Sequence, residues 1–161
     1  MNHAEDQLQM KDYTVIIGID PGTHTGYAVW SVCHKQFFTL ETGNIHEYLY
    51  RIRNLHNDDY KIFVRIEDAR LRKWYGDDKG DRAKSQGVGS IKRDCAIWYD
   101  FCKDLGIDYE MVAPKAIKTK LTAKSFKNMT GWEGRTNEHS RDAGMLCWQY
   151  EPKRQRQSTT N

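Results

Sequence analysis

Four side chains of the kinds that bind divalent cations stand where regular elements end or share a face. Asp20 ends one apolar run before a Pro-Gly turn, and Glu67 ends a later apolar run. If these two strands are neighbours, as a helical crossover between them allows, both carboxylates emerge at the same edge of the sheet. His139 and Asp142 are three residues apart in a segment with helical spacing, so they share a helix face. Carboxylates that converge repel one another, and a divalent cation relieves that repulsion. Oxygen ligands favour Mg²⁺, an imidazole leans towards Mn²⁺, and two such ions can support phosphodiester hydrolysis.

Each of these residues also has an ordinary structural interpretation. Asp20 alone could cap the Pro-Gly turn, and His139 alone could bond a backbone group at the start of a helix. Glu67 could form a salt bridge with Arg65 or Arg70. Two other carboxylates could take a neighbour's place in the site: Asp68 and Glu138. It is the conjunction of the four residues that favours a metal site.

Basic residues form three runs around these carboxylates. A single run is typical of a solvated face, whereas three runs that flank acidic residues favour contact with a phosphate backbone. The candidates for DNA binding are Arg70, Arg72 and Lys73, then Lys79, Arg82, Lys84 and Lys92, then Lys115, Lys118, Lys120, Lys124 and Lys127. Trp74 and Tyr75 could stack on an exposed base, or could simply be packed surface aromatics.

Length and composition fit one soluble globular domain. The chain has 161 residues, a net charge of +3 and 29% charged residues, which excludes a disordered chain and permits an anionic partner. No apolar run approaches membrane-spanning length and the N-terminus lacks an apolar leader, so we expect no membrane association and a cytoplasmic protein. The four cysteines form no CxxC pair, which favours buried free thiols over zinc or disulfides.

The apolar spacing predicts the order of elements. Three strands at 13–20, 26–32 and 36–40 form an antiparallel meander, and a helix with apolar positions from Ile45 to Leu55 leads to a fourth strand at 60–67. The remainder of the prediction is a loop over 69–84, a long helix from Ser85 to Leu105, a strand at 108–112, short helices within 114–130 and a last helix from Asn137 to Tyr150, with Asn137 as its N-cap. We therefore expect an α/β fold: a single domain at 13–150, with a flexible segment at 1–12 and a basic tail at 151–161.

Four motifs in order resemble those of the RuvC family of Holliday junction resolvases, within the RNase H-like superfamily. The Gly-Ile-Asp-Pro-Gly segment with its later Thr-Gly, residues 18–26, resembles the opening motif of that family. A strand that ends in glutamate matches 64–67, and the segment 86–89 resembles the start of the family's long helix in altered form. The His-x-x-Asp-Ala motif matches 139–143.

The resemblance implies an RNase H-like fold, with a five-stranded mixed sheet and helices on both faces. It implies a homodimeric endonuclease that nicks a four-way DNA junction symmetrically, using Mg²⁺, with two ions per site and Mn²⁺ as a substitute. By motif position, Asp20, Glu67, His139 and Asp142 would be the metal-binding and catalytic residues. A family lysine would correspond to Lys124 or Lys118, ranked before Lys127. A partner branch-migration helicase is left open.

Two departures from the family pattern favour a phage or prophage-type relative with relaxed sequence choice. The segment 68–84 lacks the expected aromatic pattern directly after Glu67 and offers Trp74 and Tyr75 later. The glycine-rich turn before the family lysine is replaced by residues 120–122, Lys-Leu-Thr.

Three rival functions stay open. An actin-like ATPase has a similar phosphate loop but needs two domains around its nucleotide. Another RNase H-like nuclease could act on RNA–DNA hybrids, flaps or other branched DNA, and a DNA-structure binder could have lost catalysis. The long helix carries more aromatic residues than one core face needs, which is explained either by a partner subunit or by burial under loops: Trp98, Tyr99 and Phe101.

Overall fold

A computed structural model of the protein describes residues 12–71, 82–118 and 120–153, without the side chains of residues 82–86. Several predicted features therefore lie outside the described residues. These are the N-terminal segment up to residue 11, the tail after Lys153, and Arg72, Lys73, Trp74, Tyr75 and Lys79.

Five strands in the described part of the chain form one mixed sheet. The first three, β1 (Val15–Asp20), β2 (Thr25–Ser31) and β3 (Gln36–Gly43), are an antiparallel meander, while β4 (Ile62–Glu67) and β5 (Asp108–Val112) run parallel to β1. The order across the sheet is β3-β2-β1-β4-β5. The central strands β1 and β4 are rich in Val and Ile because both of their faces are covered.

Within the described ranges, four helices accompany the sheet. They are α1 (Ile45–Asn57), α2 (Arg82–Leu105), α3 (Ala123–Thr130) and α4 (Glu138–Cys147), with two short 3-10 turns at Ala69–Leu71 and Pro114–Ala116. Gly106 and Gly131 follow α2 and α3 with φ of +66° and +75°, the left-handed backbone that glycine adopts without a Cβ clash.

The helices cover both faces of the sheet and give it two cores. On one face, odd-numbered residues of β1 such as Ile17 pack with Tyr48 of α1 and Trp98 of α2. On the other face, Ile16 packs with Phe126 of α3 and Ala143 of α4. Side chains that alternate along a strand therefore point either to α1 and α2 or to α3 and α4.

The predicted architecture is confirmed: a five-stranded mixed sheet, with helices on both faces and β1 beside β4. Several boundaries differ. Strand β3 continues to Gly43, and α2 begins three residues earlier than Ser85, since Arg, Ala and Lys are good helix formers. Helix α4 ends at Cys147, and Gln149 has a φ of +52° shortly before Pro152. None of the described helices is both long and apolar enough to pass through a membrane.

The cysteine prediction holds for three of the four residues. Cys95, Cys102 and Cys147 are buried free thiols, and burial raises the pKa of Cys95 to about 11 and that of Cys102 to about 12. Cys33 is exposed, because it lies in the turn between β2 and β3 and not on a core-facing position, so the prediction was wrong there.

Contacts within the chain account for the aromatic residues of α2. Trp98 is fully buried, Phe101 packs edge-on against it with ring centroids 6.0 Å apart, and Tyr99 packs edge-on against Tyr109. These rings therefore give no separate indication of a partner subunit.

Candidate active site

Helix α4 lies directly on the sheet through two glycines. A Cβ atom at Gly18 of β1 would lie 2.0 Å from the carbonyl oxygen of Ala143, and one at Gly26 of β2 would lie 2.1 Å from that of His139. No side chain could occupy either position without moving the helix. The absence of side chains at 18 and 26 therefore fixes how closely α4 approaches the end of β1.

The first turn of α4 is fixed by hydrogen bonds at its cap. Asn137 accepts a bond from the backbone N–H of Ser140, and Ser140 Oγ accepts one from the backbone N–H of Asn137, a reciprocal capping box. Thr42 at the end of β3 donates its hydroxyl to Asn137 Oδ1 at 2.8 Å. The predicted N-cap is confirmed, and the cap holds His139 over the sheet.

Asp20 and His139 are in direct contact. His139 Nδ1 lies 2.9 Å from Asp20 Oδ2, with the aspartate side chain 14% exposed and the histidine 46%. Burial raises the pKa of Asp20, and the nearby charge of Asp142 raises it further, against the opposing effects of His139 and Lys120. The carboxylate is therefore partly desolvated, in an environment where an additional cation would stabilise its charged form.

Asp142 is bound by a lysine from the segment before α3. The backbone N–H of Lys120 donates to Asp142 Oδ1 at 3.1 Å, and Lys120 Nζ lies 3.8 Å from Asp142 Oδ2. The same ammonium group pairs with Glu138, and this pairing, together with Asp142, raises the pKa of Lys120 while that of Glu138 is lowered. Lys120 has a φ of +62°, a backbone conformation that is uncommon for a residue with a side chain.

Glu67 belongs to the same end and face of the sheet. Strand β4 runs parallel to β1 with Ile66 beside Ile19, which places Glu67 next to Asp20 at the carboxyl ends of the two strands. The core between the sheet and helices α1 and α2 contains Ile62, Val64 and Ile66. Because successive side chains of a strand point to opposite faces, Glu67 lies on the face covered by α4. Arg65 lies on that face too, since its guanidinium donates to the carbonyl of Leu146. The three predicted carboxylates thus share one face.

The two arginines considered as salt-bridge partners of Glu67 bind other carboxylates. Arg65 Nε lies 2.9 Å from Glu110, and Arg70 binds Asp68 through Nε and Nη2 at 2.8 to 3.1 Å. Asp68 is buried, and although burial raises its pKa, the bonds from Arg70 lower it below the usual value overall. Asp68 is therefore held by Arg70 on the loop after β4, and Arg70 is less available for DNA than an unpaired surface arginine.

The candidate ligand atoms suit a hard divalent cation, but the side chains are not arranged to coordinate one. Asp20, Glu67 and Asp142 offer oxygen ligands and His139 offers a nitrogen, the set that suits Mg²⁺ or Mn²⁺. Within the described part of the chain, no three such groups are gathered closely enough to hold an ion as they stand. Instead His139 Nδ1 contacts Asp20, and Lys120 contacts Asp142.

The structure describes the side chains of six further predicted DNA-binding residues, and all six are on the surface. Arg82 and Lys84 begin α2, but their side chains lie outside the described residues. Exposed positions are occupied by Lys92, Lys115, Lys118, Lys120, Lys124 and Lys127. Lys127 pairs with Glu133 at 2.5 Å. Lys120 is the lysine that the structure brings to the carboxylates, whereas Lys118 and Lys124 stay predictions from the resemblance.

Sequence reasoning missed two contributors to this site. It treated Lys120 only as a binder of phosphate backbone, since nothing in the local sequence indicates that its backbone reaches Asp142, 22 residues away. It also overlooked His24, whose ring centroid is 6.4 Å from that of His139. The position of His24 in the turn after Asp20 was the available signal.

Comparison with solved structures gives information about the fold. No protein-family model matches the chain, and the curated proteins give no match. Among solved structures, the fold is similar to that of T. thermophilus RuvC in complex with a Holliday junction substrate, with a TM-score of 0.54 over 83% of this chain and 90% of that one. The sequences are 18% identical, so the likeness shows a RuvC-like fold.

Proposed function

We propose that the protein is a metal-dependent endonuclease that resolves four-way DNA junctions. The observation that carries the proposal is the placement of Asp20, Glu67 and Asp142 on one face, at the carboxyl ends of β1 and β4. The RuvC-like fold supports it, because the solved structure of that fold holds a Holliday junction.

In this proposal Asp20, Glu67, His139 and Asp142 hold Mg²⁺ or Mn²⁺, with two ions per site. The bound ions would supply a reactive water and stabilise charge on the leaving oxygen of the phosphodiester. Asp20 contributes a partly buried carboxylate whose charged form gains most from a cation. When the ions bind, Asp20 would give up its contact with His139, and Asp142 its contact with the Lys120 ammonium group.

Lys120 is the residue we assign to the scissile phosphate, ahead of Lys118 and Lys124. Its ammonium group has a raised pKa, so it stays charged at neutral pH, and it lies between two carboxylates of α4. A fixed cation there can stabilise charge that develops on a phosphate. The exposed lysines around the site would hold the backbone through a salt-sensitive and sequence-independent attraction.

A homodimer completes the proposal, since two sites related by a two-fold axis match the symmetry of a four-way junction. Ile91 and Ile97, exposed at 36% and 37% on α2, are candidates for that contact. Size-exclusion chromatography with light scattering tests it, with a mass of about twice 18.9 kDa expected.

A substrate panel tests the proposed activity. The full chain is incubated with a mobile four-way junction, a flap, an RNA–DNA hybrid and a linear duplex, each with Mg²⁺, Mn²⁺ or EDTA. We expect preferred cutting of the junction, dependent on metal. Equal cutting of the hybrid and no preference for the junction would favour another RNase H-like nuclease. Binding without cutting would favour a DNA-structure binder, and tight ATP binding without cutting would favour the ATPase.

A further inference from the structure

A cleft outside the acidic site is not used by the chemistry described so far. It has a volume of about 460 Å³ and lies between α3 and the loop that leads into α4. That volume is within the range of sites that hold small organic groups. Its lining includes Phe126 and Trp132, and around them Lys124, Lys127, Arg135 and Thr136.

The apolar part of the cleft is formed by two aromatic rings. Phe126 is 1% exposed and belongs to the core under α4, and Trp132 packs edge-on against Phe37 with ring centroids 6.1 Å apart. The backbone at Gly134 crosses the indole so closely that a Cβ there would lie 2.8 Å from Nε1. The indole is therefore held in place by the core and by the loop.

The polar lining of the cleft has one sign of charge. Three cationic side chains line it, and none of the described lining residues is acidic. Lys127 pairs with Glu133, both of them more than half exposed, so solvent screens that pair. An aromatic surface with cations beside it is the combination that binds a nucleobase and its phosphate.

Both borders of the cleft lead along the chain to the acidic site. On one side, Lys120 is followed by Thr122, which caps α3 by accepting from the backbone N–H of Ser125 at 3.1 Å, and then by Lys124. On the other side, Thr136 precedes Asn137, the cap of the helix that carries His139. The two segments that border the cleft are thus continuous with those that carry Lys120 and the cap of α4 at the acidic site.

We infer that this cleft binds an unpaired nucleotide of the strand that occupies the active site. The base packs against Trp132, and Lys124 and Arg135 contact the flanking phosphates. The inference rests on the proposed nuclease function, and it adds that the substrate must present a single-stranded or unstacked nucleotide close to the cut.

Photo-crosslinking to a short single strand tests the inference without requiring cutting. The full chain is mixed, in EDTA, with an oligothymidylate of eight residues that contains 4-thiothymidine, irradiated, and the crosslinked peptide is identified by mass spectrometry. We expect crosslinks within residues 123–136. Crosslinks confined to other parts of the chain would overturn the inference.

Binding of the same labelled strand by variants gives a second readout. Lys124→Gln and Arg135→Gln should each reduce the slope of log affinity against log salt by about 0.7, the value of one phosphate contact on a single strand. Trp132→Leu should weaken binding about tenfold or more through lost stacking. The control is Lys61→Gln, an exposed lysine before the opposite end of β4.

The outcomes separate the cleft from the proposed activity. If Trp132→Leu does not fold, the two surface variants still decide, because neither residue is in the core. If Lys124→Gln and Arg135→Gln show the same salt slope as Lys61→Gln, nucleotide binding in the cleft is contradicted, even if the protein cuts the junction. Crosslinks in the cleft with no cutting of any substrate would support the cleft and contradict the nuclease.

Discussion

The backbone of Gly26 lies against the backbone of His139, so close that a Cβ at position 26 would be 2.1 Å from the carbonyl oxygen of His139. This contact joins the end of the first hairpin to the first turn of α4. It determines the distance between Asp20, which pairs with Gly26 across the sheet, and the histidine that contacts it. The glycine of the opening motif is thus part of the geometry of the site.

Gly26→Ala should therefore damage the site and the fold together. The added methyl group must push α4 away from β2, and overpacking of this kind costs roughly 1–3 kcal/mol of the free energy of unfolding. We expect a lower urea midpoint and loss of any metal-dependent cutting. Gly22→Ala is the matched control, because a Cβ there meets only the carbonyl oxygen of His24 at 3.8 Å. Equal stability of the two variants would contradict the packing argument.

Asp20, which ends β1, and Asp68, which follows β4, should affect stability with opposite pH dependence. The pKa of Asp20 is raised, so the stability it contributes is present below its unfolded value of 3.8 and is lost as pH rises through the folded pKa. Asp20→Asn removes that loss and should be more stable than the natural protein at pH 7, with little difference in acid.

The pKa of Asp68 is lowered instead, so its contribution is present above 3.8 and is lost as pH falls through the folded pKa. Asp68→Asn should therefore be less stable at pH 7, and the difference should shrink in acid. Urea unfolding of both variants between pH 3 and pH 7 checks the pair. If Asp20→Asn is less stable than the natural protein at pH 7, the charged Asp20 carboxylate does not reduce the free energy of unfolding, which contradicts the prediction.

The structure and the motif resemblance predict different lysines at the scissile phosphate: the structure favours Lys120, and the resemblance favours Lys124 or Lys118. Lys120→Gln should slow cutting by about a hundredfold or more, as expected when one fixed electrostatic group is removed from a reaction site. Lys118→Gln and Lys124→Gln should change the rate less, and mainly through the affinity for DNA. Single-turnover rates at saturating protein make the comparison. If Lys118→Gln or Lys124→Gln cuts slowly while Lys120→Gln cuts at the rate of the natural protein, the lysine indicated by the family resemblance contacts the phosphate instead.

Metal binding should stabilise the folded protein. A ligand present at about 100 times its dissociation constant adds roughly 2.7 kcal/mol, or about 5–10 °C in Tm for a chain of this size. We expect Mn²⁺ and Mg²⁺ to raise the Tm of the natural protein, but not that of Asp20→Asn. Asp104→Asn, an exposed carboxylate of α2, is the control and should behave like the natural protein. Equal shifts in all three proteins would mean that the ions bind elsewhere.

Much of the fold could be predicted from local pattern. The apolar runs of β1 and β4 and the spacing of α2 are strong signals, and the placement of Asp20 beside Glu67 followed once the two strands were taken as parallel neighbours. The N-cap at Asn137 was visible because capping depends on one residue and its neighbours.

The rest of the site depends on contacts between distant segments, which no local pattern reports. The bond from Lys120 to Asp142 requires a left-handed backbone at Lys120 in an irregular segment. The pairing of Arg70 with Asp68 makes Arg70 less available for DNA, although both residues look like ordinary surface charges in the sequence. The exposure of Cys33, by contrast, follows from its place in the turn between β2 and β3, which the predicted strand bounds already leave outside both strands.

The most direct test of the central claim is to map the nicks that the protein makes in a four-way junction whose strands are labelled one at a time. We expect metal-dependent nicks at symmetric positions in two opposite strands, and loss of both nicks in Asp20→Asn with junction binding retained. An uncut junction, or cutting that persists in Asp20→Asn, would contradict the account.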